Sequence, residues 1–383
     1  MSHLFQTYSR WNIEIKEAAG SWAIDTSGKK YLDFIQGIAV TNLGHNHPNV
    51  NQAIKKQLDQ VWHVSNLFEN GLQEKAAEKL VANSSGDLVF FCNSGAEANE
   101  GAIKLARKAT GKTNIVTFLH SFHGRTYAGM AATGQDKIKT GFGPMLEGFH
   151  YLPYNDLEAI STCKVDDIAA VMLEVVQGEG GVNPAKAEFL QAVQAFCQKH
   201  QALLIIDEIQ TGIGRTGEAF AYEHANLDPD IISVAKGLGN GFPVGAIIGK
   251  KALGEAFSPG SHGTTFGGNM LAMAAVNATL DLVFNDKFLS EVKEKGAYLL
   301  SKLQAVKQLN IVKEVRGKGL MVGIECYQPV GEYITALREQ GLLVLPAGPN
   351  VIRLLPPLNV EKIEIDQAIE AIIHVLSNET VPV

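Results

Sequence analysis

The stretch Ala202–Gly241 constrains the chain more than any other: ALLIIDEIQTGIGRTG, a polar interval, then DIISVAKGLGNG. It holds two short apolar runs, Ala202–Ile206 and Ile231–Ala235, of strand length and without polar alternation. Such β-branched runs read as strands buried on both faces of a sheet. The first ends in Asp207 and the second in Lys236, with Gly-rich turns beyond each. In α/β proteins, ligands gather at the carboxyl ends of buried parallel strands. An unpaired acid or amine there costs several kcal/mol of desolvation. Either the two charges pair directly or a ligand sits between them.

The surrounding pattern supports that frame. From about residue 87 to 250, the apolar runs LVFFC, NIVTFL, IAAVMLEVV, ALLIID, IISVA and VGAIIG alternate with helical periodicities, Pro184–Lys199 among them. This implies an α/β fold with a mainly parallel sheet flanked by helices. Before it, Ser21–Ile24 and Lys30–Ile35 suit strands around the turn Asp25–Gly28. Val50, Ile54, Leu58 and Val61 recur at helical spacing after Pro48, and another helix is expected over Gly71–Ala82. After Asn269 the pattern changes to a long helical stretch, Leu271–Val306, with a break near Asn285. Strand candidates Leu320–Cys326, Leu342–Leu345 and Val351–Leu354 follow, then a helix from about Val360 to Leu376. The expected division is an N-terminal arm over 1–45 that joins a small domain, a large domain over 46–270, and a small α+β domain over 271–383.

A hydrophobic fraction of 46% against 19% charged residues suits a substantial core. A net charge of −7 without a basic stripe offers no footprint for nucleic acid. Four cysteines without close spacing fit reduced, buried thiols. The start, MSHLFQTYSRW, has no apolar signal region, and no apolar run approaches the ~18 residues of a membrane span. The expectation is a soluble, cytoplasmic protein.

Several segments carry chemistry. In LVFFCNSGAEANEGAIKLARKATG, a strand ends at Cys92, and Ser94, Gly95 and Ala96 make a tight turn into a helix. Its free N–H groups and the positive end of the dipole suit a phosphate; a plain Ser94 cap serves the pattern equally well. In SFHGRTYAG, Phe122 suits stacking on a flat ring and Arg125 a bidentate carboxylate clamp. A core Phe, a surface Arg and a satisfied loop His123 are the plainer readings. Glu179 sits in the Gly-rich turn of LEVVQGEGG, and Arg353 lies among apolar neighbours in VIRLLPP, where a charge calls for a partner or ligand. The loop SHGTTFGGN gathers hydroxyls and glycines. His45 and His47 lack further ligands for a metal, so none is expected. GLGNG lacks the acidic residue and third glycine of a dinucleotide fingerprint. Together, a phosphate cradle, a stacking aromatic, an acid and a lysine at strand ends describe pyridoxal 5′-phosphate bound as a Schiff base.

At this point the sequence resembles a family, the class III aminotransferases. LLIIDEIQTGIGRTG, followed by AKGLGNGFPVGA with Lys236 29 residues after Asp207 (236 − 207), is close to that family's signature. The likeness runs from GSWAIDTSGKKYLDF through LGHNHP, SGAEANEGAIKLAR, SFHGRT, QGEGG and HGTTFGGN to the Arg353 strand. It implies the fold of the fold-type I pyridoxal-phosphate transferases. It further implies a homodimer that moves the δ-amino group of N2-acetylornithine to 2-oxoglutarate, giving N-acetylglutamate 5-semialdehyde and glutamate in arginine biosynthesis.

Carried over by resemblance, Lys236 bonds the cofactor, Asp207 meets its ring nitrogen, and Gln210 lies near its 3-hydroxyl. Ser94, Gly95 and Ala96 hold its phosphate, and Phe122 stacks on its ring. Thr265 reaches the phosphate of the other subunit, with Thr264 beside it near substrate. Arg125 holds the α-carboxylate of acetylornithine or the distal carboxylate of glutamate. Glu179 and Arg353 form a switch: Glu179 neutralises Arg353 for the ω-amine substrate and frees it for the α-carboxylate of glutamate. Ornithine-specific members carry tyrosines where this chain has Trp22 and Ile38, and an apolar Ile38 leaves room for an acylated amine. Succinylornithine, ornithine, 4-aminobutyrate and succinyl-diaminopimelate remain alternative substrates. An aminomutase of the same fold, which isomerises one substrate, is the rival reaction.

Overall fold

The computed structural model describes residues 3–377. Residues 1 and 2 of the expected arm and 378–383 of the expected C-terminal domain lie outside the described residues.

The chain enters through an antiparallel meander, β1 (Ile15–Ala19), β2 (Trp22–Asp25) and β3 (Lys30–Asp33). Asp25 closes the β2–β3 turn: its Oδ1 accepts from Ser27 N, Ser27 Oγ and Lys29 N. The apolar runs of the middle region then become one sheet of seven strands. They are β4 (Leu88–Cys92), β5 (Asn114–Phe118), β6 (Phe149–Leu152), β7 (Ile168–Leu173), β10 (Leu203–Asp207), β11 (Ile231–Val234) and β12 (Gly245–Gly249). A small ribbon of β8 (Val176–Gln177) and β9 (Asn183–Pro184) follows β7. The order is β4-β12-β11-β10-β7-β5-β6, parallel throughout except β12, which runs against both neighbours. The expected mainly parallel α/β sheet is therefore present. β6 was not expected, because FHYL at the sheet edge is only half-buried and carries no sustained apolar run.

Burial on both faces explains the unbroken apolar runs. All six residues of β7 are buried. Val171 and Leu173 join Leu204, Ile206, Phe189 and Val193 in one cluster, whereas Ala170 and Met172 join Ile205 and Ile231 in another. The second face is covered by the helix Gly95–Thr110, whose Ala98, Ala102 and Ala106 let it lie close across five strands. Ser94 caps its start by accepting from Glu97 N, and Gly111 ends it in the left-handed conformation, φ 69°. On the first face lies the helix Ala187–His200.

The C-terminal part holds a second antiparallel sheet of β13 (Val312–Lys318), β14 (Met321–Cys326), β17 (Val351–Leu354) and β16 (Leu345–Ala347). β15 (Leu342–Leu343) leaves this region to pair with β3, which ties the N-terminal meander to the C-terminal part. β13, VKEVRGK, escaped the sequence reading because its solvent face is charged. The expected break near Asn285 is real: Asn285 caps the helix Asp286–Lys307 by accepting from Lys287 N and Phe288 N. The preceding helix, Met270–Val283, packs against Pro48–Leu58 and Gly71–Ala82. No helix among the described residues is long and apolar enough to cross a membrane.

Candidate active site

The strand ends of β7, β10 and β11 open into a cavity of about 440 Å³, within the range of small-molecule sites. Asp207 closes β10 and is 3% exposed. Its Oδ2 accepts from His123 Nδ1 and from Asn99 Nδ2, both at 2.8 Å, and its Oδ1 accepts from Ile209 N at 3.0 Å. Asn99 is fixed in turn by Ser233 Oγ, which donates to its Oδ1 at 2.6 Å. A carboxylate has about four acceptor sites, so Asp207 retains capacity for a ligand donor. Burial pulls the His123 imidazole down. The hydrogen bond and charge of Asp207, with Glu174 behind, more than reverse this and leave His123 raised.

Lys236 follows β11 in the same cavity wall, with φ 45°. A side chain other than glycine in the left-handed region stores about 1–2 kcal/mol, which the packed surroundings must hold. Burial drives its ammonium below the ordinary lysine range, opposed by Glu179, reinforced by Arg353, and opposed again by Asp207 and Glu174. Among the described residues Asp207 and Lys236 form no direct ion pair, which removes the plainer reading of the two charges.

At the other end of the cavity lies the N-terminus of Gly95–Thr110. Ser94 Oγ serves Glu97 N, while the N–H groups of Gly95 and Ala96 have no protein acceptor among the described residues. Ile209 lies so close beneath Gly95 that an added Cβ would come within 2.8 Å of it. Phe122 is half-buried in the wall, and the exposed Arg125 guanidinium lies 5.7 Å from its ring centroid.

Glu179 lines the cavity, and Arg353 stands behind it, 1% exposed. Arg353 Nη1 donates to Glu179 Oε1 at 2.7 Å and to Gln210 Oε1 at 3.1 Å, while its Nε has no partner among the described residues. Burial raises the Glu179 carboxyl, but the charge and hydrogen bond of Arg353 outweigh this and leave it lowered, with Lys236 and Gln210 adding. Gln210 thus belongs to this group of three as well as to the cavity wall. Its amide lies flat on Gly178, where a Cβ would meet Oε1 at 2.4 Å. A Cβ at Gly180 would meet His120 O at 2.2 Å, so both flanks of Glu179 must be glycine.

Thr264 and Thr265 do not line the cavity of their own chain. Thr264 Oγ1 accepts from Asn93 Nδ2 at 3.2 Å, and Thr265 is exposed. Trp22 and Ile38 are also outside the lining. The Trp22 indole donates to Glu364 at 2.9 Å, and Ile38 packs near Val182 and Met321. Residues 36–39 form a left-handed turn, with φ of 50°, 64°, 69° and 58°. It carries Val40 into the cavity wall.

His123, Asn99, Ser233 and Glu174 were not among the expected site residues. Asn99 left a signal, a polar residue on the apolar face of its helix, and so did Glu174, a charge inside the run VMLEVV. No cluster of metal-binding side chains occurs among the described residues. Free helix N–H groups, an aromatic wall, a held carboxylate and a buried lysine do fit a flat, phosphorylated pyridine cofactor.

The sequence model of the family aminotransferase class-III matches residues 6–376. The acetylornithine aminotransferase of Bacillus subtilis (strain 168) is 73% identical over 379 residues, 98% of each chain. Among solved structures, the N-acetylornithine aminotransferase of Stenotrophomonas maltophilia K279a superposes with a TM-score of 0.85 at 35% identity, covering 97% of both chains. The ornithine aminotransferase of Toxoplasma gondii ME49 gives a TM-score of 0.93 at 31% identity, covering 98% of this chain and 92% of that one.

Proposed function

Because the chain belongs to the class III aminotransferases, we propose that it transfers the δ-amino group of N2-acetyl-L-ornithine to 2-oxoglutarate, giving N-acetyl-L-glutamate 5-semialdehyde and L-glutamate. Pyridoxal 5′-phosphate is the family's cofactor, and when bound it supplies an aldehyde carbon and an electron-withdrawing ring. Gly95, Ala96 and Ser94 would hold its phosphate, Phe122 would cover its ring, and Asp207 would keep a proton on the ring nitrogen. Lys236 would anchor it, and its lowered proton affinity suits Nζ to take the proton from the substrate carbon that bears the amino group.

The observation that carries the substrate reading is the Arg353–Glu179 pair behind the cavity wall. A two-substrate cycle must accept an amine with no carboxylate beside the reacting carbon, then an acid that has one. With Glu179 in place, Arg353 is neutralised and sealed off; with Glu179 withdrawn, the guanidinium is open to a carboxylate. A movable acid solves the problem without leaving a buried charge unpaired. Arg125, exposed in the same wall, would hold the remaining carboxylate of either substrate. Gln210, bonded to Arg353 and beside Glu179, would steady both arrangements.

We further propose a homodimer in which Thr265 reaches the partner's phosphate site with Thr264 beside it. This is supported by the exposure of Thr265 and its absence from its own cavity. The division into 1–45, 46–270 and 271–383 is supported by the β3–β15 pairing. A cytoplasmic location is supported by four free cysteines, three of them buried. The test of the activity is kcat/KM for acetylornithine, succinylornithine, ornithine and 4-aminobutyrate, each with 2-oxoglutarate. Acetylornithine should lead; a higher value for any other donor rejects the assignment.

A further inference from the structure

Glu174, just beyond β7, has no part in the function proposed above. Its side chain lines the cavity, the residue is 6% exposed, and among the described residues it forms no ion pair. Each carboxylate oxygen is taken by a backbone N–H: Oε1 by Phe122 at 2.9 Å and Oε2 by Gly178 at 3.1 Å. Its own carbonyl accepts from the Tyr154 hydroxyl at 2.7 Å. One side chain therefore ties the loop that carries Phe122, His123 and Arg125 to the loop that carries Glu179. The sheet order puts β7 between β5 and β10, so this tie sits between the ends of the strands that lead to Phe122 and Asp207. Only a carboxylate suits it, since a glutamine of the same shape would accept one N–H and turn its own amide N–H groups toward the other.

The charged and titratable groups that Glu174 faces are His123 and Asp207 beside it, Tyr154 below, and Lys236 across the cavity. Lys236 is faced in addition by Glu179 and Arg353. We propose that Glu174 is a positioning residue of the reaction centre, its carboxylate turned toward Lys236 and His123 in the cavity wall while its two N–H bonds hold the loops of Phe122 and Glu179 in register. The inference rests on the aminotransferase reading of the site. Burial pushes the Glu174 carboxyl up to about 7, with the charge of His123 opposing and that of Asp207 adding. The group therefore changes charge across neutrality, and its support for Lys236 is complete above that pH and lost below it.

The test is Glu174→Gln, purified with pyridoxal phosphate, in a pH titration of the bound cofactor's visible absorbance. The midpoint should fall by about half a unit or more, a factor of about 3 in proton affinity. The step in kcat/KM near neutrality should disappear. Glu174→Asp, which keeps the charge but shortens the tie, should hold the wild-type midpoint while KM rises. A uniform loss of kcat with an unmoved midpoint in the Gln variant, or equal shifts in both variants, overturns the proposal. If the Gln variant does not fold, ¹⁵N-histidine NMR of the wild-type holoenzyme decides. The His123 imidazole should show a step near pH 7, and its absence overturns the proposal. A wild-type protein with no cofactor absorbance would instead sink the aminotransferase reading.

Discussion

Replacing Glu179 by alanine leaves Arg353 with Gln210 as its one side-chain acceptor. In the intact protein, Arg353 Nη1 holds Glu179 at 2.7 Å and Gln210 at 3.1 Å, with the guanidinium almost wholly enclosed. A charge-assisted hydrogen bond of this kind contributes about 1.5–3 kcal/mol. Gln210 remains after the exchange, so the lower end applies, about tenfold in an equilibrium constant. Acetylornithine, with no carboxylate beside its reacting carbon, then meets a cavity with an unneutralised guanidinium and loses about tenfold. Glutamate no longer has to displace Glu179 and gains up to about tenfold. The ratio of kcat/KM for the two donors should therefore move by about 100-fold toward glutamate. The assay is the two half-reactions measured separately with holoenzyme, followed by the change in cofactor absorbance. The Glu179 carboxyl is held below its ordinary 4.5, so the pair is complete above that pH and is lost only as pH falls through the lower value. The wild-type ratio should accordingly be flat from about pH 6 to about pH 9. A ratio in the variant that stays within about twofold of wild type refutes the switch.

Three other perturbations probe the surroundings. Gly178→Ala drives a Cβ to 2.4 Å from Gln210 Oε1, and should cost about 1–3 kcal/mol of stability and raise KM for both substrates; an unchanged melting curve would show that Gln210 is not packed as described. Glu208, fully buried and pushed up to about 7 by burial, favours its protonated form in the folded state. The protein should lose stability as pH rises from 4.5 through about 7, and Glu208→Gln should flatten that loss, up to about 3 kcal/mol in a denaturant series; parallel pH profiles contradict it. Mixing and refolding Lys236→Ala with Thr265→Ala subunits should restore about a quarter of wild-type activity by random pairing, because each mixed dimer has one complete site, whereas no recovery rejects the shared site.

The central sheet was legible because buried parallel strands write themselves as unbroken apolar runs, as in Ile168–Leu173. Its edge strand Phe149–Leu152 and the half-exposed Val312–Lys318 were not, since neither carries that pattern. Of the site, Asp207 and Lys236 stood out as charges at the ends of such runs. What holds Asp207 did not: His123, Asn99 and Ser233 come from three separate segments, and only the fold brings them within hydrogen-bond distance. Trp22, where ornithine-specific members carry a tyrosine, donates its indole N–H to Glu364, a contact 342 residues apart that no spacing announced. Glu174 was visible as a charge in an apolar run, but its two backbone partners are 52 and 4 residues away. Spacing alone could not pair them.

The account stands on the claim that Asp207 and Lys236 bracket one pyridine cofactor, bonded at the lysine. Borohydride reduction of the purified holoenzyme, followed by peptide mapping, tests it most directly. The cofactor should be found fixed to Lys236, in the peptide that contains AKGLGNG. A label on any other lysine, or none on a protein with cofactor absorbance, would contradict it.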